Sequence, residues 1–268
     1  MPRQPRKIFL ETSIQIERIF ASIKRLKQIR DVLADATVFT SSYVFMEFRR
    51  AVLQAVAHVL TLVRQMQSDG ANVIDLSELM RKVAMGRSIR FSVRTIQRVI
   101  LVLSYILSAF PTPFVESDTL IDYLELQLNW RLKGLFFEGV SEYITYTDCD
   151  LVRPDVPVGD YVQSRLSCNA KTSTCALVEF LSQHQEKLHA LEGALAAAPP
   201  NEINPRTLTA LKRINANVTK GLGERTCWSL GDVIIALETP DDAHIYTTDR
   251  HFDLICSVLG KQRFIEST

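Results

Sequence analysis

SLGDVIIALETPDDAHIYTTDRHFDLIC, residues 229–256, reads as helix, turn, buried strand and helix in quick succession. Val233–Leu237 is an apolar helical run, "TPDD" (239–242) carries turn chemistry, and "AHIYTT" (243–248) has the composition of a buried strand. An acid opens each helix, Asp232 and Asp249. Taken singly, both have an ordinary explanation. Asp232 follows Ser229 at capping-box spacing, and Asp249 suits a helix N-cap. The alternative is that they meet further acids in space and hold a divalent cation.

The beginning of the chain has the same grammar. "KIFL" (7–10) is a short apolar strand, and "TSIQ" (12–15) starts a helix with Thr12 or Ser13 as N-cap. Ile16, Ile19, Phe20, Ile23, Leu26 and Ile29 recur at spacings of three and four, the signature of one amphipathic helix. "ATVFT" (36–40) is a second strand, and a long helix opened by Ser41 or Ser42 follows it. Strand–helix–strand–helix with apolar strands predicts a parallel sheet covered on both faces. Residues 1–69 and 226–268 are expected to form one α/β domain, with the mostly helical residues 70–225 inserted into it.

Composition agrees with an ordinary globular protein: 47% hydrophobic residues, 23% charged residues and a net charge of +1. That balance gives no global polyanion signature, although a local basic face can still act. Five scattered cysteines do not resemble a disulfide scaffold, and the longest apolar run, Val99–Phe110, is too short to span a bilayer. The expectation is a cytoplasmic protein without membrane contact.

Two more acids complete the pattern. Glu11 ends the first strand and Asp249 ends the late strand, so both belong at the carboxyl edge of a parallel sheet, where sites form. Asp232 lies in the first turn of the helix leading into that late strand. Glu47 lies one turn into the helix after strand two, beside Tyr43, Val44 and Ala51, a strip that favours burial. Glu11 near a helix dipole, or Glu47 paired with Arg50, would each be unremarkable alone. Four carboxylates at one edge repel one another, and a shared cation removes that cost.

"FLETS" (9–13), "SSYVFMEF" (41–48), "GDVIIALE" (231–238) and "IYTTDRHFD" (245–253) together resemble the signature blocks of PIN-domain nucleases. The resemblance covers about residues 6–65 and 226–266 and implies a small α/β fold with a central parallel sheet. It implies a metal-dependent endoribonuclease that hydrolyses single-stranded or structured RNA with Mg2+ or Mn2+. Glu11, Glu47, Asp232 and Asp249 fall on the family's acids, with Asp253 as an auxiliary ligand. Thr12 and Thr248 match the hydroxyl residues that orient them. The family's first acid is normally Asp, where this chain has Glu11. The alternative is therefore a catalytically impaired nucleic-acid-binding or scaffold protein with the same fold. Toxin ribonucleases of toxin–antitoxin pairs belong to this family, which makes a protein antitoxin or other regulator an expected partner.

Substrate contacts are expected from Arg250 and His251 at the mouth of the site. A second basic stretch, Arg81 to Arg98 with Phe91 interleaved, reads either as a solvated helix face or as a single-strand contact. Cys168, Cys175, His184 and His189 match zinc spacing poorly. The apolar face of residues 100–110 is a candidate surface for a homodimer.

Overall fold

The computed structural model describes residues 5–85, 93–147, 156–158, 161–163, 168, 175–199 and 204–266. The chain opens with β1 (Arg6–Leu10), α1 (Thr12–Phe20), α2 (Ile23–Leu33), β2 (Ala36–Ser41) and α3 (Ser42–Phe48). A π-helical turn, Arg49–Leu53, joins α3 to α4 (Gln54–Ser68). There follow β3 (Val73–Asp75), α5 (Leu76–Met85), α6 (Val93–Leu107), β4 (Phe114–Glu116) and α7 (Ser117–Leu126). A second π-turn, Gln127–Arg131, leads into α8 (Leu132–Phe137) and β5 (Glu142–Ile144). The short strands β6 (Val156–Val158) and β7 (Tyr161–Gln163) precede α9 (Ala176–Gln183), α10 (Gln185–Ala197), α11 (Pro205–Ala216) and α12 (Val218–Gly221). The chain finishes with α13 (Glu224–Ser229), α14 (Gly231–Glu238), β8 (His244–Tyr246), α15 (His251–Leu259) and β9 (Gln262–Arg263).

Five strands form one parallel sheet in the order β5-β2-β1-β8-β9. This is the α/β class that the apolar strands predict. Ile8, Phe9 and Leu10 are completely buried, because helices cover both faces and leave no wet side for a polar residue. From β1 the chain moves outward to β2 and β5, and later returns to place β8 and β9 on the other side. The switch point therefore falls between β1 and β8, where Leu10 is in register with Tyr246. At such a point the connections leave in opposite directions and open a crevice beyond the strand ends.

Several local expectations are corrected. The helix expected from Ile16 through Ile29 is two helices, since Ser22 caps α2 through its side chain, which accepts from the Arg25 N–H. The cap of α1 is neither Thr12 nor Ser13 but Glu11, whose carboxylate accepts from the Ser13 N–H. Ser41 does cap α3, its hydroxyl accepting from the Val44 N–H at 3.2 Å. The helix expected at the start of the 229–256 stretch is interrupted at Leu230, between α13 and α14. The Ser229 hydroxyl donates to the Arg225 carbonyl, which removes the capping-box explanation of Asp232.

Residues 70–225 also do more than add helices. Their strand β5 pairs with β2 and closes one edge of the sheet. Leu124, Phe136, Leu181 and Leu211 share a single hydrophobic cluster with Phe9, Val44 and Ile235. Val102, Leu103 and Ile106, on the face considered for a homodimer, lie in that same cluster and are covered within the chain. Among the described residues no helix is long and apolar enough to cross a membrane.

Candidate functional site

The register of β1 against β8 fixes the first part of the site. Since Leu10 faces Tyr246, the next residues along each strand, Glu11 and Thr247, emerge side by side, and the Glu11 N–H donates to the Tyr246 carbonyl at 3.2 Å. Glu11 Oε2 then collects three hydrogen bonds: from the Ser13 N–H at 2.8 Å, from the Ser13 hydroxyl, and from Thr247 Oγ1 at 3.0 Å. The same Thr247 oxygen accepts from the Asp249 N–H at 3.0 Å. One hydroxyl thus ties the acid after β1 to the backbone of the acid after β8. Asp249 Oδ1 in turn accepts from the His251 N–H at 2.8 Å, which anchors its carboxylate at the start of α15.

Glu47 reaches the same place from α3. Thr12 Oγ1 donates to Glu47 Oε2 at 2.6 Å. Gly231 packs so closely on Glu47 that a Cβ there would overlap Glu47 Oε1, with Tyr43 Cε1 at 3.7 Å on the other side. Glycine here leaves the Glu47 carboxylate undisturbed, and the next residue, Asp232, lines the same cleft. The π-turn after Glu47 brings Arg50 to the same side, its guanidinium 3.4 Å from the centroid of the Trp228 ring. Helices of this kind often carry functional residues, because the extra residue re-aims side chains.

Glu11, Glu47, Asp232 and Asp249 all line one cleft of about 1530 Å³, together with Thr12, Thr248, Arg250 and His251. Asp253 is not among its lining residues; it is exposed on α15 and paired with Arg263 at 2.7 Å. The hydroxyl roles differ from expectation. Thr12 orients Glu47, and Thr248 contributes its backbone N–H to the Ser13 hydroxyl at 3.2 Å. Ser13 and Thr247 are the residues that hold Glu11. Sequence reasoning missed both, although their position one or two residues from the acids was visible. The pairing register that selects Thr247 over Thr248 was not.

Burial pushes the Glu11 carboxyl up to about 7; Ser13 and Thr247 pull it down by hydrogen bonding, and the nearby Glu47 raises it. Burial likewise pushes the Glu238 carboxyl, at the far end of α14, up to about 7, against a hydrogen bond from Thr147 Oγ1 at 2.9 Å. Burial lowers the Arg50 guanidinium pKa, while Tyr43 and Glu47 raise it.

The facing wall of the cleft was not foreseen. Arg206, Thr209, Ala210 and Arg213 of α11 line it, as do Arg225, Thr226, Trp228 and Ser229 of the α13 segment. Most of the basic stretch between Arg81 and Arg98 falls outside the described side chains. Arg81 and Lys82 contact Glu78 at 3.8 and 3.4 Å, Arg87, Arg90 and Phe91 lie outside the described residues, and so do the side chains of Arg94 and Arg98. The ring Nδ1 atoms of His184 and His189 each lie 2.9 Å from a carbonyl oxygen of their own helical segment.

Chemically the donor set suits a hard divalent cation: four carboxylates with hydroxyl support, and no thiolate or imidazole required. Their spacing is open. Among the described residues no three His, Cys, Asp or Glu side chains lie close enough to hold one ion as they stand. Protein donors hold Glu11, Glu47 and Asp249 separately, an arrangement that mutual repulsion favours without a cation. Comparisons with protein-family models, with curated proteins and with solved structures give no match to this chain.

Proposed function

We propose that this protein is a metal-dependent endoribonuclease of PIN type, in which Glu11, Glu47, Asp232 and Asp249 hold Mg2+ or Mn2+. One observation carries the reading. Acids from four separate segments, two before residue 50 and two after residue 230, line a single cleft at the switch point of a parallel sheet. Bound there, a divalent cation acidifies a water and offsets charge on the phosphate. Hydrolysis of a phosphodiester would add water across a P–O bond, leaving a phosphate monoester on one fragment and a hydroxyl on the other.

The chain's own residues fix the approach. Thr247 binds the Glu11 carboxylate and the Asp249 backbone N–H, and Thr12 binds Glu47, so two hydroxyls help orient two carboxylates while the His251 N–H holds the third. Glu11 must give up its proton to serve as a ligand, and its value of about 7 makes metal uptake rise with pH across the neutral range. The reading is tested by incubating the protein with labelled single-stranded RNA and Mn2+, beside Asp249→Asn. Asparagine keeps an oxygen to accept from the His251 N–H and removes the charge. Cleavage by the parent and none by the variant supports the assignment. Equal cleavage by both contradicts it.

A second reading, a binding protein with an impaired centre, is favoured by the open spacing of the carboxylates and by the three hydrogen bonds on Glu11 Oε2. RNA binding without Mn2+-dependent cleavage would select it.

A further inference from the structure

The cleft has two walls of opposite charge, and the second comes from residues outside the acid-bearing segments. Along α11, Arg206, Thr209, Ala210 and Arg213 recur at helical spacing and face the cleft. Thr207, Leu211 and Ile214 of the same helix are buried, so the apolar side fixes which side presents the arginines. Thr207 Oγ1 donates to the Ser229 carbonyl at 2.8 Å and locks α11 to α13. A Cβ on Gly221 would overlap the Arg213 backbone carbonyl, so glycine is what lets α12 fold back under α11. On α13, Arg225 faces the cleft, and Trp228 supports Arg50 across it.

Arg206, Arg213, Arg225 and Arg250 are exposed, and among the described residues none takes part in a salt bridge. These arginines line the same cleft as the carboxylates without bridging to them. Two sites of opposite preference therefore face each other: cations belong on the acid side and anions on the arginine side. Guanidinium forks match phosphodiester oxygens in pairs. Arg206 and Arg213 lie about 10 Å apart along the helix axis. That separation calls for an extended polyanion rather than one phosphate.

Resting on the reading of the acid side as a hydrolytic centre, we infer that α11 and α13 form the substrate wall of the cleft. Arg206, Arg213 and Arg225 hold the phosphodiester backbone of a single nucleic-acid strand and lay it across the four acids. Arg50 is steadied by Trp228 for the same task. A recessed, positively lined groove tracks a flexible strand, whose backbone can bend into it. The segment between the two acid-bearing ends of the chain thereby acquires a role: it supplies the affinity for substrate.

The test uses the full chain carrying Asp249→Asn, so that binding is read without turnover, and a labelled single-stranded RNA oligonucleotide in a fluorescence-anisotropy titration across salt. R206E/R213E is compared with K212E/K220E, which makes the same charge change at exposed positions that do not line the cleft. R206E/R213E should weaken binding by about tenfold or more at low salt. It should also reduce the slope of log K against log salt by about 1.4, from two lost phosphate contacts at about 0.7 each. The control pair should change affinity by less than about twofold. Equal losses in the two pairs, an unchanged Kd in R206E/R213E, or no RNA binding by the parent overturns the inference. If the Kd responds as expected while the parent never cleaves, the wall stands and the hydrolase reading falls. Cleavage by the parent with no difference between the pairs has the opposite meaning.

Discussion

The two sides of the cleft are built on opposite rules. On the sheet side three of the four acids are held by hydrogen bonds from neighbouring residues: Glu11 by Ser13 and Thr247, Glu47 by Thr12, Asp249 by the His251 N–H. On the α11–α13 side the arginines project from the surface of helices whose buried faces alone are specified. Chemistry at a reacting centre requires positions held to fractions of an ångström, whereas attraction to a backbone tolerates mobile side chains. Changes on the sheet side should therefore act on catalytic rate, and changes on the helical side on substrate affinity and its salt dependence.

The largest effect expected is from Asp249→Asn. It should lower cleavage by at least about 10²–10³-fold with little change in melting temperature, checked by single-turnover kinetics and calorimetry. Gly231→Ala should rank next. The new methyl pushes Glu47 off its position and should lower Mn2+ affinity or rate by about 10–100-fold. Stability should hold or rise by up to about 1 kcal/mol, because alanine favours a helix start over glycine. A G231A protein of full activity would show that the close approach of α14 to α3 is packing alone.

Thr247→Val keeps the shape and removes the hydroxyl shared by Glu11 and Asp249. It should cost about 1–2 kcal/mol of stability and about tenfold in metal affinity. Since that hydrogen bond lowers the Glu11 pKa, its loss should also move the pH profile of Mn2+ binding to the alkaline side. A purely structural threonine would leave the profile in place.

The smallest effect concerns pH and stability without metal. Glu11 and Glu238 are both raised to about 7 in the folded protein from ordinary values near 4.5. The native state therefore binds more protons than the unfolded chain between those limits, and stability falls as pH rises from about 4.5 to about 7. Glu238→Gln should flatten part of that decline in urea melts, and Mn2+ should offset the part due to Glu11. A melt midpoint independent of pH over this window would contradict both assignments.

How much of this could be read from the residues alone differs between the same two sides. The strands were legible because Ile8–Leu10 and Val38–Thr40 are short, apolar and bounded by caps, and the four acids because each sits at a strand end or a first helical turn. What pairing decides was not legible. Tyr246 in register with Leu10 makes Thr247, not Thr248, the partner of Glu11. Glu11 pre-empted Thr12 and Ser13 as the cap of α1 because its longer side chain folds back onto the Ser13 N–H. The arginine wall left no motif at all. Arg206 and Arg213 are ordinary surface residues until tertiary packing sets α11 opposite the sheet edge. Strand β5 was hidden for a related reason: three residues in a helical stretch become a strand only because β2 offers an unpaired edge.

Whether the four carboxylates can close on one ion is settled by diffraction from crystals soaked in Mn2+, with anomalous data collected. The expected result is a peak at the switch point, coordinated by oxygens of Glu11, Glu47, Asp232 and Asp249 at about 2.0–2.2 Å, with those side chains turned toward it. Saturating Mn2+ that leaves the cleft without a peak, and the carboxylates still held by Ser13, Thr12 and His251, would contradict the metal-dependent reading.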